Sequence, residues 1–355
     1  MRLCSTGWVL IILLLIAPAS GAERPKPKAE PRPADLLLEG GRKLSFEGSF
    51  SSERETRGKP GFFGRLANIV AGEAEYKQLV RPYSIAVDSR GRIIVSDPGL
   101  GGVHVFDPQG RKYKFLDRTE KSKDNLMEPQ CVAVDAEDSI YVTDSKAGKI
   151  FVFDREGKYQ RALGSIKGGE GFFKRPTGIG IDPETQQIYV TDTLRDKIYV
   201  LDRKGEVLRT IGKRGAGEVE FNLPTEVLIK NGTLVVVDAM NFRVQILERS
   251  GKFIGAIGQV GDSSGNLFRP KGVGIDSEGH IYLVEGFWGV VQVFDRQGQL
   301  LYDFGQRGAR LGEFQLPAGI FIDQRDRIYV VDSHNRRVQI FQYSGLRAKA
   351  EGANQ

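Results

Sequence analysis

Three histidines, one mid-chain cysteine and a few residues that interrupt a regular pattern carry whatever chemistry this 355-residue sequence has. The histidines are His104, His280 and His334. A zinc site needs three or four convergent ligands, typically His or Cys. These three suffice only if the fold brings them together. Cys131 is the one cysteine besides Cys4. Glu226 and Lys230 lie four residues apart in the otherwise apolar TEVLIK run. A carboxylate so placed can be a metal ligand, a general base or simply a solvated residue. Glu226, Asn241 and Asn335 offer oxygen ligands of the kind calcium takes, although nothing in their spacing selects such a site. The segment EGFWGVV (285–291) joins Glu285 to Phe287 and Trp288. Exposed aromatic residues commonly anchor a partner; otherwise they cover a neighbouring loop. No phosphate loop or paired-carboxylate motif appears.

What must position these residues is a repeat. Six prolines, Pro82, Pro129, Pro176, Pro224, Pro270 and Pro317, are separated by 47, 47, 48, 46 and 47 residues. Such a period marks an array of one supersecondary unit. Each unit holds short runs rich in Val, Ile, Tyr and Phe, bounded by Gly, Asp and Asn, as antiparallel strands are. Four strands per unit make one blade of a β-propeller, here lettered a to d from the centre outward. The expected fold is all-β, with six four-stranded antiparallel blades. In strand a the third and fifth residues after each proline are aliphatic, whereas the second and fourth are mostly small. Alternate residues point to opposite faces, so one face fills the gap to one neighbour and the other admits close approach. Cys131 therefore reads as a small packing residue, and Glu226 with Lys230 breaks the rule in blade four.

The segments DSHNRRVQIF (332–341), DAMNFRVQIL (238–247), DTLRDKIYVL (192–201) and DSKAGKIFVF (144–153) resemble the NHL-repeat family of six-bladed propellers. The resemblance spans 82–345. In each unit an acid opens the b–c loop: Asp97, Asp144, Asp192, Asp238, Glu285 and Asp332. The resemblance implies the fold and leaves function open. Six-bladed relatives include amidating lyases and lactonases with channel-facing metal ligands. Against that reading, the three histidines occupy three different blade positions and should not converge, and the disulfides of the animal lyases are absent. Some NHL propellers bind RNA, but a net charge of +6 without a basic tail and an export signal argue against nucleic acid.

The a–b and c–d turns of such blades share one face and are short. The b–c and d–a loops share the other and are longer and more varied, as in GSIKGGEGFFKRP and GQRGARLGEFQLP. Binding residues usually lie on varied loops held by rigid strands. The expected site is on that face: Phe287, Trp288, Glu285, Arg195, Lys197, Asn241, Arg243, His334 and Arg337, with Glu226 near the channel. Cations at the starts of strand c (Lys149, Lys197, Arg243, Arg337) and before the prolines (Arg81, Arg175, Arg269) can attract an anionic partner. Alternatively, each strand-c cation pairs with the acid of its own loop, a contact worth about 0–1 kcal/mol when exposed.

The N-terminus has Arg2, an apolar stretch Trp8–Ile16 too short to span a bilayer, and small residues around Ser20 and Ala22. Residues 1–22 read as a cleaved signal peptide, with a retained anchor as the alternative. A Pro/charged spacer (23–41) follows. Cleavage leaves Cys131 alone, so no internal disulfide supports the fold. Blade six runs out after strand c, and residues 42–50 (RKLSFEGSF) can supply its fourth strand, with Gly41 and Gly48 placed like Gly251 and Gly258. A short amphipathic helix is expected over 59–78 and a polar tail over 346–355. These readings together give an exported, periplasmic or extracellular, non-catalytic module. Its loop face holds a protein, peptide or envelope polymer, without cofactor, metal or transmembrane span in the mature chain. The alternative is a channel-mouth lyase or lactonase.

Overall fold

A computed structural model describes residues 30–57, 76–117, 125–166, 170–261 and 263–345. The chain divides into Met1–Pro31 and Arg32–Gln355, and the second unit holds the repeats. The expected signal peptide, most of the 59–78 helix and the polar tail lie outside the described residues.

Five blades are four-stranded antiparallel meanders in the order a-b-c-d. Blade 3 is typical, with Pro176–Ile181, Ile188–Asp192, Lys197–Leu201 and Val207–Ile211. Strand b is sandwiched on both faces. In IYVTD (188–192) every residue is buried, so its side chains do not alternate between core and solvent. Six apolar clusters fill the spaces between neighbouring blades. One joins Tyr189 and Val200 of blade 3 to Val227 and Val236 of blade 4; another joins Ile85 and Phe106 of blade 1 to Tyr329 and Val331 of blade 6. The array is thus a closed six-bladed ring.

The small residues of strand a are set by the neighbouring backbone. A Cβ on Gly178 would stand 2.6 Å from Glu226 Cα, and one on Gly319 would stand 2.7 Å from the Tyr83 carbonyl. Hydroxyls in the residue just after strand b add polar stitches between blades. Ser145 Oγ donates to the Pro176 carbonyl (2.8 Å) and Thr193 Oγ1 to the Pro224 carbonyl (2.8 Å).

Blade 6 is closed by the N-terminal strand Lys43–Phe50, which pairs antiparallel with Arg337–Ser344. The glycine step leaves the register open, because the apolar residues of 42–50 are shifted by about one against it. A bulge at Glu47 places Gly48 opposite Ile340, as the bulge before Gly255 places that residue opposite Ile246 in blade 4. Gly48 therefore matches Gly255 and not Gly258. Phe50 takes the position of the buried Ile257 and packs edge-on against Phe106 of blade 1 at 5.0 Å. The sheet also extends further back than expected, because Leu36–Leu37 pairs with Leu44 and Lys43. Part of the supposed spacer is a fifth strand.

Deleting 42–50 leaves a bare strand-c edge, a template for intermolecular pairing, and strips Phe50 from the seam. The truncated protein should form oligomers or aggregates on size-exclusion chromatography and melt earlier. A monomer with an unchanged melting temperature would contradict this closure.

Candidate functional site

The acids that end strand b face inward. All six, Asp97, Asp144, Asp192, Asp238, Glu285 and Asp332, are fully buried. Each accepts backbone N–H groups from the d–a loop just before the repeat proline. Asp97 accepts from Val80 (2.7 Å) and Arg81 (3.0 Å); Asp192 accepts from Lys174 and Arg175 (both 2.9 Å). Asp238 accepts from Asn222 (2.7 Å), and Asp332 from Gln315 (2.7 Å). A buried carboxylate is tolerated when such donors satisfy it. The clasp ties the two loops of each blade into one rigid surface.

Glu285 is corrected by this geometry. Its oxygens accept from Phe268 (2.9 Å), Arg269 (2.8 Å) and Phe287 (3.1 Å), so it performs the aspartate's task and offers nothing to a partner. Arg243 and Arg337 are also committed. Their Nε atoms pair with Asp238 (2.9 Å) and Asp332 (2.8 Å), and their Nη2 atoms donate to the Glu220 and Glu313 carbonyls. Asn241 donates to Gly215 O (2.8 Å) and Asp238 (2.9 Å), and Asn335 repeats that arrangement with Gly308 O and Asp332. Arg195 donates to Phe172 O (2.8 Å) and pairs with Asp192 (3.1 Å). Lys197 is half-buried at the start of strand c.

The d–a loops before blades 4, 5 and 6 look varied in sequence yet share one fold. Phe221, Leu267 and Phe314 plug them, each fully buried. Gln245, Gln292 and Gln339 of strand c donate to the Glu220, Asn266 and Glu313 carbonyls. Gly305 is required here, because its φ is +85° and a Cβ would stand 2.4 Å from the Phe314 ring.

Phe287 and Trp288 remain exposed, at 38% and 40%, beside Phe268 at 47%. They form a chain of rings: Phe242 lies 6.2 Å from Phe268, Phe268 4.9 Å from Phe287, and Phe287 4.9 Å from Trp288. Leu194 and Met240, each two residues after its strand-b acid like Phe287, are also exposed. So are Val80, Met127 and Leu316 beside the repeat prolines. Sequence reasoning found the aromatic pair and missed these; counting two residues on from each acid finds Leu194 and Met240. Exposed Arg81, Arg175 and Arg269 stand among them. His334 joins Arg81, Arg336 and Leu316 around a 510 Å³ cleft at the seam of blades 6 and 1.

The histidines stay apart. His104 is buried in blade 1, with Nδ1 2.9 Å from the Tyr113 hydroxyl and Nε2 3.4 Å from Asp97. His280 Nδ1 is 2.7 Å from Asp276 at an a–b turn. Among the described residues no group of three or more His, Cys, Asp or Glu side chains is arranged to hold a metal ion.

The central channel holds a 910 Å³ cavity walled by strand a of all six blades. Its inner end lies at Ser84, Glu226 and Gly319. Its mouth lies among the a–b turns, at Asp88, Asp135, Lys230 and Arg325. It therefore opens on the face opposite the one expected to be functional. Glu226 is half-buried at the inner end. Its Oε2 accepts from the Cys131 thiol (2.9 Å) and its Oε1 from the Val227 amide (3.2 Å). Burial pushes its pKa up to about 7, against a smaller lowering by these two bonds. Burial, and then the Glu226 charge, push the Cys131 thiol well up, so it stays neutral.

The comparisons agree with this architecture. A family profile described as a 6-bladed beta-propeller matches residues 118–198 and 180–241, and an NHL repeat profile matches 314–341. The chain is a six-bladed β-propeller with an NHL repeat. No curated protein matches it by sequence. Among solved structures, an auxiliary nutrient binding protein from Bacteroides thetaiotaomicron is 13% identical with a TM-score of 0.58 (76% of this chain, 70% of that one). A gluconolactonase from Xanthomonas campestris is 15% identical with a TM-score of 0.57 (89% and 99%). Virginiamycin B lyase from Staphylococcus aureus is 14% identical with a TM-score of 0.53 (74% and 95%). At these identities the likeness is one of fold.

Glu226 gives the propeller a pH signature. Its carboxyl ionises near 4.5 when unfolded and near 7 when folded. Between those values the native state holds a proton that the unfolded state has lost, so stability falls as pH rises through that window. Each unit of pKa corresponds to about 1.4 kcal/mol. Glu226→Gln should remove a loss on the order of 2–3 kcal/mol, read from urea unfolding at about pH 5 and about pH 8. Identical pH slopes in parent and variant would contradict this.

Proposed function

We propose that this propeller is an exported, non-catalytic binding module whose b–c and d–a loop face holds a protein or peptide, or a stretch of envelope polymer. The observation that carries the reading is the run of exposed rings Phe268, Phe287 and Trp288, continued by the half-buried Phe242, on loops that buried carboxylates hold rigid. Aromatic side chains contribute much contact area at little entropic cost, and partly buried clusters of them dominate binding energies. Exposed apolar residues drawn from all six blades extend the patch across the loop face. The arginines among them suit a partner with acidic residues bordering an apolar anchor.

Export is supported by the N-terminal pattern of Arg2, the apolar stretch 8–16 and the small residues at 20 and 22. No helix among the described residues is long and apolar enough to cross a membrane. The lyase and the gluconolactonase are 14% and 15% identical to this chain and share its fold.

Crosslinking from the native envelope should capture a partner with the full chain. The double variant Phe287→Ala/Trp288→Ala removes two exposed rings, so its melting temperature should stay within a few degrees of the parent's. Its affinity for the captured partner should fall by roughly 30-fold or more, the scale of a lost hot spot. Undiminished affinity in a folded variant would overturn the assignment of this face.

A further inference from the structure

The channel cavity lies on the other side of the molecule and is independent of the loop-face reading. We propose that it binds an elongated amphipathic amine through the a–b face, with the ammonium group on Glu226 and the apolar chain along the strand-a walls.

The cavity, at 910 Å³, is of a size that takes small ligands. Its sides are aliphatic, with Ile85, Val132, Ile179, Val273 and Ile320 each contributing from a different blade. Glu226 supplies the one carboxyl at the inner end. Its partners are a thiol and a backbone amide, and no basic side chain pairs with it among the described residues. A carboxyl in that position is costly to ionise. A ligand ammonium would supply the missing counter-charge and two or three donors. A ligand carboxylate would bring a second acid into the same apolar space.

The mouth carries charges of both signs, with Arg90, Lys230 and Arg325 beside the acids. Asp88 pairs with Arg92, Asp135 with Arg203 and Asp323 with Arg327. Lys230 stands where five blades carry Asp, and its ammonium donates to the Ile275 carbonyl (2.6 Å) with Asp326, Asp276 and Asp323 nearby. Glu226 and Lys230 are four residues apart on one strand, about 13 Å at 3.3 Å per residue. That span sets the chain length available between the buried head and the rim.

Binding ionises Glu226 and releases its proton to solvent. Affinity should therefore rise with pH up to about 7 and then level off. The groups facing Glu226 are Cys131 and Tyr83, both kept neutral through this range because burial raises them.

The test is calorimetric titration of the full chain with n-octylamine, n-octanol and octanoate at neutral pH. The amine should bind about tenfold or more tightly than the alcohol, the scale of one charge-assisted hydrogen bond, and octanoate more weakly than either. Glu226→Gln, checked for an unchanged fold by circular dichroism, should bring the amine down to the alcohol's affinity. The Phe287→Ala/Trp288→Ala variant should bind the amine as the parent does, which separates this site from the loop face. Equal binding of amine and alcohol by the parent, a preference for octanoate, no binding of any of the three, or an amine preference that survives Glu226→Gln would each overturn the proposal.

Discussion

Everything on the loop face depends on one contact, repeated six times: a buried carboxylate at the end of strand b accepting amides from the chain just before the repeat proline. The strand ladders alone would form six sheets. They would not fix where the long d–a connection lands as it crosses from the outer edge of one blade to the inner edge of the next. The carboxylate does that, because its own burial is tolerable only while the loop amides satisfy it. Where the arrangement is fullest, in blades 4 and 6, an arginine, an asparagine and a glutamine close around the same acid.

This contact also separates structural charges from available ones. The sequence left two readings of the strand-c cations, a basic surface or pairing with the acid of their own loop, and Arg243 and Arg337 take the second. In three dimensions Arg243 and Arg337 are consumed by the acid and by loop carbonyls. What the loop face offers a partner is mainly apolar and aromatic, with arginines from the pre-proline positions. The channel divides the molecule differently. Its cavity opens among the short turns, so one scaffold presents a patch at one end and a pocket at the other.

The blade count, the strand order and the closing strand were legible because a period of about 47 residues and β-alternation leave few other folds. The closing register was not. The apolar residues of 42–50 showed a shift of about one against the glycine step; the bulge at Glu47, which strand d of blades 2 to 5 also has, is what puts Phe50 in the seam. Glu285 looked like a departure because its type differs, but the longer carboxylate makes the same bonds as Asp. Glu226 was visible as an exception in strand a. Its partner Cys131 was not, because the two are 95 residues apart and meet only when the ring sets blades 2 and 4 on either side of blade 3.

The central claim is that the carboxylate clasp makes the loop face rigid. Amide hydrogen exchange at single-residue resolution tests it most directly. Loop amides without such partners exchange within the fastest class. The amides of Val80, Arg81, Lys174, Arg175, Asn222, Phe268, Arg269 and Gln315 should instead be protected to a degree comparable with strand b of their blades. Exchange at the rate of the unprotected turn amides would contradict the account.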